Sequence, residues 1–214
     1  SFGQGGDRVQ IGITKAAYLA TGRPDLSESV KCLSQAMSTL REGHLVELKR
    51  LIRYLKGKPR MVLEYPRPRA QGTMVEVLVD SDWAGDVATR RSTSGMVVTR
   101  GAHLLRRSST LQAPISLSSG EAEYYAMVRG ACYGLGVESH FGDLGIPTRL
   151  RVHSDSSSGR SLAKRKGLGA QRHVHTRWLW LQDRVRSKRL DVDSILGKGQ
   201  TSRHADEVSY IARS

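Results

Sequence analysis

Four acidic residues sit at positions from which side chains can converge. Asp80 closes a run that alternates like a strand, Glu123 lies in the first turns of a helical run, Asp155 closes a second strand run, and Asp206 opens a last helical run. In open α/β sheets, sites gather at the carboxyl ends of strands, and Asp80 and Asp155 occupy two such ends. A single Asp at a strand end or helix start is usually a turn former or a cap. Four carboxylates meeting at one point would repel each other unless cations neutralise them, and hard oxygen ligands favour Mg²⁺ or Mn²⁺. Two such ions about 4 Å apart activate water and stabilise the leaving oxygen when a phosphodiester is cut. Two neighbours compete for the same roles. Asp82 faces the same side of an ideal strand as Asp80, whereas Glu121 and Glu123 point about 200° apart on a helix, so only one of that pair can face a shared site.

The rest of the composition carries the opposite charge. The chain has 214 residues with 34 Lys and Arg against 20 Asp and Glu, a net charge of +14 that calls for a polyanionic partner such as nucleic acid. Residues 1–66 hold 11 basic and 6 acidic residues and residues 67–214 hold 23 and 14, so a basic tail does not explain the surplus. Aromatic residues make up 6%, which argues against a surface that stacks bases on aromatic platforms. No apolar run approaches the roughly 20 residues of a membrane span, which excludes a transmembrane protein. Cys32 and Cys132, a hundred residues apart, signal neither a disulfide framework nor a zinc knuckle. They read as reduced core thiols of an intracellular protein, cytoplasmic or nuclear. The start SFGQGGDRVQIG has no initiator Met and no signal-peptide core, and reads as that of a fragment or processed product. A basic chain whose acids cluster around two metals reads as a nuclease.

The elements that must position these acids follow from periodicity. After a Gly-rich lead-in, residues 14–56 read as helical. Val30, Leu33, Met37 and Leu40 recur at steps of three and four, and so do Leu45, Leu48, Ile52 and Leu55. Asp25 after Pro24 starts the first of these helices, and Gly57 with Pro59 stops the second. YPRPRAQG at 65–72 reads as a linker, with the domain boundary at 66/67. Beyond it, TMVEVLVDSDW alternates as a strand with Val75, Val77 and Val79 on one face. SGMVVTRGAHLLRRSS reads as two more strands joined at Arg100 and Gly101. A helix with Ser118 or Ser119 as N-cap follows, then the strand LRVHSD, a helix over about 156–165, a helix over 173–187, the strand LDVDSIL and a helix opening near Ala205. That order implies an α/β domain with a mixed five-stranded sheet and flanking helices, preceded by a small helical segment.

Several stretches are specific enough to carry a resemblance. VDSDWAGDVATRRSTSG (79–95), LSSGEAEYYAM (117–127), HSDSSSGRSLA (153–163), RHVHTRWLWLQDRV (172–185) and HADEVSY (204–210) resemble the ribonuclease H domain of copia-type LTR retrotransposon polyproteins. YLATGRPDL, CLSQAMSTL and LKRLIRYLKGKP resemble the end of the reverse transcriptase that precedes it. The resemblance implies a ribonuclease H-like fold over 67–214 after a thumb or connection piece over 1–66. It also implies a two-metal endoribonuclease acting on the RNA strand of RNA:DNA hybrids, with Asp80, Glu123, Asp155 and Asp206 as catalytic and metal-binding residues for two Mg²⁺ or Mn²⁺ ions. The acids stand in the order Asp, Glu, Asp, Asp at spacings of 43, 32 and 51, whereas the related integrase pattern puts its Glu last. No Tyr-x-Asp-Asp occurs, so polymerase activity is not expected.

Arg90, Arg91, Arg106, Arg107, Arg160, Lys164, Arg165, Lys166 and Arg172 are candidates for tracking phosphates. His173 and His175 form a His-x-His that reads as part of a tryptophan-packed helix, with His173 matching a histidine of the family; His204 stands two residues before Asp206. The expected partners are an RNA:DNA hybrid or other nucleic acid, no membrane, and the rest of a reverse transcriptase or a larger assembly. A competing reading is a retrotransposon-derived, non-catalytic subunit. It rests on the abrupt start, the missing polymerase motif and the tail EVSYIARS in place of the family's Leu-Thr-Lys run. The two readings part on whether the acids converge.

Overall fold

The computed structural model describes residues 4–37, 39–63, 65, 74–86, 88–167, 169 and 173–195. Two compact units are formed, Ser1–Glu64 and Tyr65–Arg213. Of the predicted linker only Tyr65 is described; the last helix near Ala205, with His204 and Asp206, and also Arg172, lie outside the described residues.

The first unit holds α1 (Gln4–Ala20), a 3-10 turn (Pro24–Leu26), α2 (Ser27–Gln35) and α3 (Glu42–Gly57). The Gly-rich lead-in is thus helical, contrary to the sequence reading. Val9, Ile13 and Ala16 repeat at four and three and are buried with Leu26, Val30, Leu33, Leu48 and Leu51, so packing outweighs the low helix propensity of the glycines. Gly12 has a packing role, since a Cβ there would lie 3.1 Å from Leu48 Cδ2. α2 and α3 are separate helices, as the two apolar stripes imply. Pro24 opens its turn as expected, and Arg23 forks onto Asp25 at 3.0 and 2.8 Å while Tyr54 donates its hydroxyl to Asp25 at 2.8 Å. Those bonds tie the start of α2 to the end of α3 and, with Arg23 foremost, hold the Asp25 carboxyl below its usual pKa.

The second unit holds β1 (Met74–Asp82), β2 (Thr93–Arg100), β3 (His103–Leu111), α4 (Ser119–Asp143), β4 (Arg149–Ser154), α5 (Ser157–Lys164), a 3-10 turn (Thr176–Trp178), α6 (Trp180–Arg186) and β5 (Leu190–Ser194). The sheet order is β3-β2-β1-β4-β5, with β1–β2 and β2–β3 antiparallel and β1–β4 and β4–β5 parallel. The sheet is mixed and five-stranded, as the periodicity implies. Gly101, at φ +57°, provides the left-handed residue of the β2–β3 turn. Val75, Val77 and Val79 form the buried face of β1, and α4 lies close above them. That closeness depends on two glycines of α4: a Cβ at Gly130 would come within 2.5 Å of Val79 Cγ1, and one at Gly134 within 2.9 Å of Val77 and closer still to Leu150.

Two further expectations need correction. The predicted helix over 173–187 begins only at Trp180, because the His175 side chain accepts from the Arg177 amide at 3.1 Å and opens a separate 3-10 turn. Tyr124 pins that turn to α4 by donating its hydroxyl to the Trp178 carbonyl at 2.7 Å. Cys32 and Cys132 are free but exposed, so they are not core thiols; each stands next in sequence to a buried residue, Leu33 and Ala131, and the 100° helical step turns it outward. No described helix is long and apolar enough to cross a membrane.

Candidate functional site

The parallel pair β1–β4 brings two strand ends side by side, with the N-terminal turns of α4 against them. Asp80 stands near the end of β1, Asp155 follows β4, and Glu123 projects from α4, whose start is fixed by Ser118 accepting from the Glu121 amide. One carboxylate oxygen from each of Asp80, Glu123 and Asp155 lies within 4.8 Å of the other two. These three are the described members of the predicted four.

The three acids differ in environment. Asp80 and Asp155 are exposed, whereas Glu123 is 7% exposed. The Ser81 amide donates to Glu123 Oε1 at 3.1 Å and also to Asp80 Oδ1 at 2.8 Å, and the Ser154 hydroxyl donates to Glu123 Oε2 at 3.3 Å. Burial, then the charges of Asp80 and Asp155, push the Glu123 carboxyl up to about 8 despite those two hydrogen bonds. A half-buried carboxylate triad of this kind is electrostatically unfavourable alone and is relieved by positive charge. All-oxygen donors suit a hard divalent cation such as Mg²⁺ or Mn²⁺, so the residues present fit that group.

The competing acids are turned elsewhere. Asp82 lies outside the triad and sits over the turn at Gly85, where a Cβ would collide with its carboxylate. Glu121 is 1% exposed and faces away from Glu123, accepting from the Leu117 amide at 3.0 Å and the Tyr125 hydroxyl at 2.6 Å and bonding His173 Nε2 at 2.8 Å. His173 therefore anchors its loop to the opposite side of α4 from the triad. His175 is taken up by its cap.

The basic candidates are scattered. Arg90, at φ +57°, and Arg91 are exposed in the β1–β2 connection. Arg106 lies over the Tyr133 ring at 4.5 Å, and Arg107, its neighbour along β3, projects from the other face of the sheet. Arg160 donates to the Ser154 carbonyl at 2.5 Å and so braces the strand end beside the triad. Lys164 reaches Asp193 at 3.9 Å, Lys166 is exposed, and Arg165 packs against Gly169. Sequence reasoning passed over Ser81 and Ser154, although each is adjacent to a predicted acid; a hydroxyl or amide beside a candidate ligand is the signal that would have flagged them.

No family model matches the chain. Among curated proteins it is 37% identical over 129 residues to the retrovirus-related Pol polyprotein from transposon RE1 of Arabidopsis thaliana, covering 60% of this chain and 9% of that one. It is 27% identical over 187 residues to the corresponding polyprotein from transposon TNT 1-94 of Nicotiana tabacum, covering 86% of this chain and 14% of that one. The chain thus spans about a tenth of the length of these relatives. It is 42% identical over 106 residues to the secreted RxLR effector protein 161 of Plasmopara viticola, covering 49% of this chain and 72% of that one. Among solved structures, a foamy viral protease-reverse transcriptase in complex with dsDNA aligns over 80% of this chain and 34% of its own, with TM-score 0.51 and 15% identity. LC11-RNase H1, isolated from compost, aligns over 66% of this chain and 97% of its own, with TM-score 0.39 and 18% identity. The mixed five-stranded sheet with its flanking helices is the α/β fold class that the sequence implies.

Proposed function

Because the chain is similar to the retrovirus-related Pol polyproteins of plant transposons, we propose that it contributes the step in which the RNA strand of an RNA:DNA hybrid is hydrolysed. The observation that carries this reading is the convergence of Asp80, Glu123 and Asp155 within 4.8 Å of one another on a ribonuclease H-like sheet. Residues 67–214 form the nuclease in this reading, residues 1–66 the end of a copia-type reverse transcriptase, and Asp206 the fourth acid of the site. Polymerase activity is not part of it.

Asp80, Glu123, Asp155 and Asp206 would hold two Mg²⁺ or Mn²⁺ ions, which when bound would supply an activated water and charge compensation for the departing 3′ oxygen. The protein's own contribution is placement. Asp80 and Asp155 present exposed oxygens at two strand ends, and Glu123 is held between them by the Ser81 amide and the Ser154 hydroxyl. Exposed basic residues such as Arg90, Arg91 and Lys166 draw the phosphate backbone, which adds affinity without base readout. Discrimination of a hybrid then rests on groove shape and 2′-hydroxyl contacts. The non-catalytic reading predicts acids splayed or engaged in salt bridges, and the convergence of the three described ones weighs against it.

The test is cleavage of an end-labelled RNA:DNA hybrid by the purified chain in Mg²⁺ and in Mn²⁺. The expected result is RNA-strand products, abolished in Asp80→Asn with hybrid binding retained. Binding without cleavage in either metal would reject the catalytic reading.

A further inference from the structure

One buried amide links the two backbone segments that bear Asp80 and Glu123. Gln112 follows directly on β3 and is 5% exposed. Its side-chain NH₂ donates to the Ser94 hydroxyl of β2 at 2.8 Å and to the Ala122 carbonyl of α4 at 2.8 Å, and lies 3.5 Å from the Ser81 hydroxyl of β1. Its carbonyl oxygen accepts from the Ser116 hydroxyl at 3.0 Å, which fixes which end of the amide faces α4. Its backbone amide donates to the Ser92 carbonyl at 2.8 Å.

Ala122 is the residue before Glu123, and Ser81 is the residue after Asp80 and the donor to both carboxylates. Ser81 and Ser94 are paired across the β1–β2 ladder. Gln112 therefore spans from the sheet to the first turns of α4 immediately behind the acids, and its bonds set the spacing between the elements that carry Asp80 and Glu123. Core packing alone would not fix that spacing so closely, because apolar contacts tolerate sliding whereas a short directed hydrogen bond does not.

We propose that Gln112 is a positioning residue of the acid site, acting through Ala122 and Ser81 on the separation of Glu123 and Asp80, and so on divalent-cation affinity. This rests on the functional reading above. It differs from a merely structural role, because a structural amide stabilises the fold without altering how the triad takes a cation. Gln182 serves as the comparison: also buried, it donates to the Leu162 and Gly167 carbonyls and accepts from the Gly167 amide, and none of these groups belongs to the triad.

The experiment measures Mg²⁺ and Mn²⁺ half-saturation of the full chain, by calorimetry and by the thermal shift on adding metal, for wild type, Gln112→Met and Gln182→Met. Loss of a group that orients metal ligands typically weakens metal affinity about 10- to 100-fold. That rise is expected for Gln112→Met, with kcat lowered and KM for the hybrid within about twofold of wild type. Gln182→Met is expected to lower Tm while leaving the metal half-saturation unchanged. Ser116→Ala, which removes only the bond that orients the Gln112 amide, should raise the half-saturation a few-fold, and it supplies the answer if Gln112→Met does not fold. Wild-type metal affinity in Gln112→Met, or in a folded Ser116→Ala when Gln112→Met is unfolded, would overturn the proposal while leaving the functional reading intact. Equal losses in the Gln112 and Gln182 variants would also overturn it. A wild-type chain that takes up neither metal would reject the functional reading and this proposal together.

Discussion

Replacing Glu123 by Gln should stabilise the metal-free protein. Burial and the neighbouring Asp80 and Asp155 raise the Glu123 carboxyl from its usual 4.5 to about 8. Between those values the folded state holds a proton that the unfolded chain has released, so wild-type stability falls as pH rises, by about 1.4 kcal/mol per pH unit. At pH 7 the accumulated penalty is about 3 kcal/mol, and at pH 5 about 1 kcal/mol. Gln keeps the shape, its carbonyl can accept from the Ser81 amide, and its NH₂ can donate to Ser154, so the penalty is removed with little loss of bonding. In EDTA at pH 7, Glu123→Gln should therefore melt about 6–12 °C above wild type for a unit of this size, and the gap should narrow to a few degrees at pH 5. Saturating Mg²⁺ should close or reverse the gap, because binding at 100 times Kd stabilises wild type by about 2.7 kcal/mol and the variant has lost a ligand. The assay is thermal unfolding followed by circular dichroism across pH 5–8, with and without metal. A gap in EDTA that stays constant from pH 5 to pH 7 would refute the claim that burial and the two neighbouring acids hold the Glu123 carboxyl protonated in the folded state.

Three other outcomes follow from separate parts of the molecule. Gly134→Val should cost about 2–3 kcal/mol by driving α4 off Val77 and Leu150, whereas Gly136→Ala on the same helix, with open space around it, should be neutral or stabilising by up to about 1 kcal/mol; thermal melts of the two variants decide this. Asp25→Ala should cost the helical unit about 2 kcal/mol by removing the carboxylate to which both Arg23 and Tyr54 donate, read as roughly 30-fold faster amide exchange in α3. Since the Asp25 carboxyl is held below its usual pKa, chiefly by Arg23, its contribution is present above the unfolded value and is lost as pH falls through the folded one, so the exchange difference should vanish in acid. Hybrid affinity should fall steeply with salt, and Arg90→Ala or Arg91→Ala should each lower the slope of log K against log salt by about 1 if that residue contacts phosphate; titrations at several salt concentrations give the slopes.

Much of this was legible along the chain because it follows from local periodicity. The alternation of Val75, Val77 and Val79 specified β1 and its buried face, and the order of strand and helix patterns specified a mixed sheet. Chemistry also showed, since acids at strand ends beside specific flanking stretches singled out Asp80, Glu123 and Asp155. Where local signals were weak or misleading, long-range packing overrode them. The glycines of the lead-in concealed the Val9, Ile13 and Ala16 stripe that makes α1 a helix, and His175 broke the helix expected over 173–187 by capping a turn of its own.

The sequence by itself determined which residue types could hold a cation and which elements carry them, because both are properties of short stretches. It also determined that Glu121 and Glu123 could not both serve. Only the tertiary structure decided between them, by burying Glu121 where the Leu117 amide, the Tyr125 hydroxyl and His173 bond it, and by setting Glu123 beside two acids that lie 43 and 32 residues away. The polar residues that hold that arrangement, Ser81, Ser154 and Gln112, were not selected by the sequence reading, because a hydrogen bond across 10 to 42 residues depends on how strands and helix pack and leaves no periodic trace.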